Sequence, residues 1–204
     1  NVYPVLTPMA VDASRPFPLI RNKTLNIVAL LSKKKAGGLK QSEKTEDKAG
    51  KKEKVPYEFA TVQVPSVLPR LIPIPSENEK ENTFILLEQM IERNINKLFL
   101  NYDILSAYPY RIMRNADLTI DEDEAADLLK EIQKQLKMRQ WGEVIRLEVE
   151  DKIDKRLLEF LTEEFNIASG DDIYQINGPL DLTFLMKMYG LEGFDAQRYA
   201  PYIP

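Results

Sequence analysis

LNIVALL, residues 25–31, is the stretch on which the fold turns. It holds one polar residue in seven and carries β-branched Ile27 and Val28, so it predicts a strand buried on both faces. Downstream, YEFATVQV (57–64) alternates. Ala60, Val62 and Val64 fall on one side, and Phe59, Thr61 and Gln63 on the other, the pattern of a strand with two different faces. Between them runs SKKKAGGLKQSEKTEDKAGKKEKVP (32–56), with a single Leu and three Gly. Such a segment buries too little apolar surface to offset its ordering entropy, so it reads as a mobile loop. The two strands therefore pair as an antiparallel hairpin with a long, lysine-rich tip.

Working outward, RLIPIP (70–75) fits only a short edge strand, because its prolines cannot donate to a ladder. From Thr83 the period changes: Phe84, Leu87, Ile91, Ile95 and Leu98 recur at helical spacing and predict an amphipathic helix to about Phe99. YPYRIMR (108–114) reads as a strand with Pro109 at its start. Thr119, with Glu122 three residues on, opens a helix whose buried stripe is Ala125, Leu128, Leu129, Ile132 and Leu136. EVIRLEV (143–149) alternates, with Ile145, Leu147 and Val149 inward. Asp154 to Phe165 is a helix buried through Leu157, Leu158 and Leu161. A strand over 172–176, a turn at Asn177-Gly178-Pro179 and a last helix over 181–189 follow. A hairpin followed by alternating helices and strands predicts an α+β fold: one mixed sheet with helices packed on it and some parallel pairing. Residues 1–204 read as a single domain.

Composition narrows the chemistry. The chain has neither Cys nor His. That excludes disulfides, thiolate and zinc-histidine sites, a phosphohistidine and the usual general base near neutral pH. No apolar run is long enough for a spanning helix, and NVYPVLTPMA at the start lacks the basic and apolar regions of a signal peptide. The ends read as those of an excised piece, and the whole as soluble and compatible with the cytoplasm. The net charge of −4 conceals an uneven distribution: +5 lies between Lys33 and Lys54, leaving −9 on the remainder. The lysine-rich loop is either a polyanion-binding arm or a solvated hairpin tip. It has no interleaved aromatic for base stacking, so nucleic acid is not an expected partner.

Asp121-Glu122-Asp123-Glu124 is the densest acidic cluster. Consecutive helical residues point about 100° apart and do not converge on one ion, so these acids fit a helix start. Neither GxxxxGKS/T nor GxGxxG occurs. Arg70, Arg111, Arg114, Arg139 and Arg146 sit in or beside strands. If the strands of Arg111 and Arg146 are neighbours, a small anion-binding patch is possible; otherwise each arginine pairs with Glu143, Glu148 or Glu150. No catalytic, cofactor-binding or metal-ligating residue emerges.

The ordered set PLIRNKTLNIVALL (18–31), FATVQVPSVLPRLIPIP (59–75), FILLEQMIERNINKLF (84–99), YPYRIMRNADLTIDEDEAADLL (108–129), MRQWGEVIRLEVE (138–150) and DDIYQINGPLDL (171–182) resembles the middle, or head, domain of type 1 polyphosphate kinase. The resemblance spans nearly the whole chain. It implies a parent enzyme that reversibly transfers the terminal phosphate of ATP to inorganic polyphosphate, with Mg²⁺, through a phosphohistidine on carboxy-terminal domains absent here. The amino-terminal helical domain is absent too.

For this fragment the resemblance implies no catalytic activity of its own. It implies a structural, tunnel-shaping role, support of a homo-oligomer, and a fold similar to phosphohistidine phosphatases. Its partners would be the other domains of the same chain and inorganic polyphosphate. Arg111, Arg114 and Arg146 are the candidate polyphosphate contacts. The parent would be cytoplasmic, with membrane association an added expectation. A free-standing polyanion-binding or protein-interaction module is the alternative. The chain departs from the family in its longer lysine-rich segment, in Asn115 where Asp is usual and in Met113 where Thr is usual.

Overall fold

The computed structural model describes residues 2–11, 16–34, 57–76, 81–115, 142–200 and 202. The helix expected from Thr119, the acids 121–124, Arg139 and most of the lysine-rich loop lie outside these residues.

Six strands form one sheet in the order β1 (Pro8–Val11), β3 (Tyr57–Gln63), β2 (Leu25–Lys33), β6 (Tyr102–Arg114), β7 (Val144–Glu150), β8 (Ile173–Ile176). All neighbours are antiparallel except β7 and β8, which are parallel. The sheet is therefore mixed. Every residue from Leu25 to Leu31 is buried, because β2 sits inside the sheet with helices on both faces. β2 and β3 pair antiparallel from Asn26↔Gln63 to Ser32↔Tyr57.

On one face Val28, Leu30, Tyr110, Ile112, Leu147 and Val149 pack against the helix α2 (Lys155–Glu164), through its Leu157, Phe160 and Leu161. Phe59 stacks on Phe160 at 3.8 Å between ring centroids. Thr61 and Tyr110 meet between the strands, hydroxyl to hydroxyl, at 2.8 Å, so neither buried hydroxyl lacks a partner. Asp154 caps α2 by accepting the Arg156 N–H at 2.9 Å. The neighbouring Arg156 guanidinium, hydrogen-bonded to the same carboxylate, holds Asp154 below the usual carboxylate range.

On the other face Ile27, Ala29, Leu31, Ala60 and Val62 pack against the helix α1 (Leu87–Arg93), through Leu87 and Ile91, and against the short turn that follows it. A separate ribbon pairs β4 (Leu71–Ile74) with β5 (Thr83–Leu86). A last short helix, α3, spans Phe184–Tyr189.

Three expectations need correction. Thr83–Leu86 is a strand, not the first turn of α1; pairing with the proline-bearing β4, which has no place in the main sheet, overrides the helical spacing of Phe84 and Leu87. The strand read as 108–114 begins at Tyr102, so Pro109 is internal. It is tolerated because the β6–β7 ladder starts only at Tyr110↔Val149, leaving Pro109 opposite Ile27 of β2 alone. Ile145 points outward, 43% exposed, and Val144 takes the inward place. The ladder passes from Met113↔Arg146 to Arg114↔Val144, so Ile145 is the extra residue of a bulge that shifts the alternation by one. Leu105 is skipped in the same way opposite the Leu30–Leu31 step, and it too is exposed.

Candidate functional site

The candidate arginines divide between the two faces of the sheet. Arg111 lies opposite Glu148, and Glu148 opposite Tyr174, in one row across β6, β7 and β8. Arg146 shares that face. Glu148 is buried and takes both cations: Arg111 Nη1 at 3.1 Å and Arg146 Nε at 2.8 Å, the latter an ion pair without the alignment of a hydrogen bond. The Arg146 guanidinium lies 3.9 Å from the centroid of the Tyr174 ring, a cation–π contact. Arg111 Nε also donates to the Lys23 carbonyl at 3.2 Å.

Strand alternation places Arg114 on the opposite face, with Tyr110 and Ile112. Its Nε donates to the Ile20 carbonyl at 3.1 Å and its Nη1 to the Gly142 carbonyl at 2.8 Å, while its backbone N–H donates to Asn22 Oδ1 at 3.0 Å. Burial lowers its pKa. Arg114 thus fastens the 20–24 turn to the bulged end of β6 and β7. Arg111 and Arg146 converge on one carboxylate; Arg114 does not join them. The turn adds two exposed cations, Arg21 and Lys23, at this end of the sheet.

Sequence reasoning did not find two further clusters. Arg70 donates through Nε and Nη2 to the buried Glu88 carboxylate at 2.6–3.1 Å, and lies 3.3 Å from an Asp181 carboxylate oxygen. It also donates to the Leu180 and Asp181 carbonyls and sits over the Phe184 ring. Residues 18 and 111 positions away carry no local signal of this contact.

The second is a cleft of about 190 Å³ lined by Glu88 and Glu92 of α1, by Glu150 and Asp151 at the end of β7, and by Lys152 and the 177–180 turn. Burial, then the Glu150 charge and more weakly Glu88, push the Glu92 carboxyl up to about 7, with Arg93 acting the other way. Burial, then Asp151, also raises Glu150. A carboxyl raised in the folded state stabilises the fold below its ordinary pKa, and that contribution is lost as pH rises through the folded value. Glu92→Gln should therefore match the parent chain near pH 4 and exceed its stability by about 1 kcal/mol at pH 8, a figure discounted for solvent screening. Urea midpoints at both pH values measure it; an advantage that is the same at both would refute it.

Among the described residues no group of three or more acidic side chains is arranged to hold a metal, and no helix is long and apolar enough to cross a membrane.

The chain is 46% identical over 189 residues, 92% of its length, to the polyphosphate kinase of Halalkalibacterium halodurans. It is 43% identical over its full length to that of Lactiplantibacillus plantarum. It spans about a quarter of the length of each. The crystal structure of polyphosphate kinase from Porphyromonas gingivalis superposes over the whole chain and 25% of that protein, with a TM-score of 0.61 at 18% identity, a likeness of fold. Residues 1–188 match the family described as polyphosphate kinase middle domain, and to that family the chain belongs.

Proposed function

We propose that residues 1–204 form one domain, the non-catalytic middle domain of a kinase that reversibly transfers the terminal phosphate of ATP to inorganic polyphosphate. ATP and Mg²⁺ belong to other domains of the parent. We assign no step through either to the residues of this domain. The domain's part is structural: it flanks the polyphosphate path and supports a homo-oligomer in the cytoplasm. Kinship with the phosphohistidine phosphatase fold belongs to the same proposal, without the histidine. The reading rests above all on the family match over residues 1–188.

The arginines favour this structural part, because Arg111 and Arg146 are engaged with a buried glutamate and Arg114 with backbone carbonyls. Direct contact with polyphosphate is the second reading. It is favoured by Arg146, whose side chain keeps 36% of its exposure, and by the exposed Arg21 and Lys23 nearby.

The experiment is Arg146→Ala in the full-length kinase. Arg111 still neutralises Glu148, so the loss of stability should be about 1 kcal/mol, with polyphosphate affinity unchanged. Normal stability with about a tenfold loss of polyphosphate affinity, equivalent to 1.4 kcal/mol, would replace the structural reading with the contact reading. A full-length protein unable to form polyphosphate from ATP would favour the free-standing module.

A further inference from the structure

The surface of α3 and the segment after it is apolar in a way the rest of the fold does not use. Phe184 turns inward and is buried, and Leu180 is buried before it. Leu185, Met186, Met188 and Tyr189 all face outward, Met186 at 77% exposure, and Tyr199 and Tyr202 follow at 94% and 89%. Seven of the seventeen large exposed apolar side chains among the described residues fall between 182 and 202. A cleft of about 450 Å³ opens between α3 and Phe84 of β5. The base of this face is fixed: Arg70 holds the Leu180 and Asp181 carbonyls and covers Phe184. An apolar patch of this kind, held on a firm base, marks an interaction surface.

Three observations identify what covers it. The family match ends at residue 188, inside α3, so the face lies at the carboxy-terminal end of the matched region. The matched relatives are about four times as long as this chain. The segment 181–200 carries Lys187 and Arg198 against Asp181, Glu192 and Asp195, a balance that gives a phosphate chain no attraction. We propose that the α3 face is the seat of the domain that follows in the kinase chain, which lays an apolar surface over Leu185, Met186 and Tyr189. This rests on the reading of the parent as a polyphosphate kinase.

The test uses the full-length enzyme. It is treated with dilute hydrogen peroxide, and oxidation at Met186 is followed by peptide mass spectrometry against a free peptide of the same sequence. Exposure governs the rate, so a covered Met186 should oxidise about tenfold more slowly than the peptide. Leu185→Glu, at an exposed position that the domain can tolerate, should bring the rate back towards that of the peptide. Oxidation of the unmodified enzyme at the peptide rate would overturn the proposal. So would protection that fades on dilution, which would assign the face to a second copy of the chain. Polyphosphate synthesis is measured in the same sample. Protection without synthesis would sink the functional reading and leave the docking face standing; synthesis with unprotected Met186 would do the reverse.

Discussion

Arg70→Met should cost the domain about 3–5 kcal/mol, because it leaves the buried Glu88 carboxylate without its cation. Glu88 is 5% exposed at its side chain and Arg70 14%. The guanidinium is also the joint between three pieces of chain: the entry to β4, the start of α1 and the 180–184 segment. The Leu180 and Asp181 carbonyls lose their donor as well. The double variant R70M/E88M removes the orphaned charge and should recover part of the loss, which separates the penalty of an unpaired carboxylate from loss of the contact itself. Guanidinium unfolding midpoints read both. A single variant within 1 kcal/mol of the parent chain would mean that the cluster is incidental.

Leu147→Ala should cost about 2–5 kcal/mol, through lost transfer energy and the cavity left behind. Leu147 is fully buried, lies between Ile112 and Ile173 in register, and packs in the cluster beneath α2. Its sequence neighbour Ile145 offers the contrast. The same truncation there removes a side chain that the bulge has already turned outward, so Ile145→Ala should stay near 0.5 kcal/mol. Equal losses at the two positions would show that the alternation runs unbroken through β7 in solution.

The core of the fold was legible wherever a signal is local. LNIVALL announces an interior strand, the alternation of 57–64 its two-faced partner, and Asp154 the start of α2. The parallel β7–α2–β8 unit follows from the order of elements. What escaped reading depends on pairing. Thr83–Leu86 has helical spacing, and only β4 opposite it makes it a strand. Tyr102–Ala107 has no clean alternation, since Leu105 is ejected at a bulge, yet β2 extends it as a strand. Ile145 is as apolar as Val144, so nothing in the composition says which of them a bulge will expel.

The site divides the same way. Arg111 and Arg146 were legible as strand arginines that would meet if their strands were neighbours, and Glu148 as one of three candidate partners; the β6–β7 ladder makes them neighbours and selects Glu148. Tyr174 beneath Arg146 depends on the register of β8, and the Arg70–Glu88–Asp181 cluster on contacts between distant segments.

The β2–β3 ladder closes at Ser32↔Tyr57, so the two strands lie side by side where the chain between them leaves and returns. Closing such a join costs only about 0.6 kcal/mol more for each doubling of its length. The residues between carry +5 on a chain whose remainder carries −9. A change in the length or charge of this join therefore shifts the net charge of the chain and leaves the register of β2 on β3, set by their own ladder, in place.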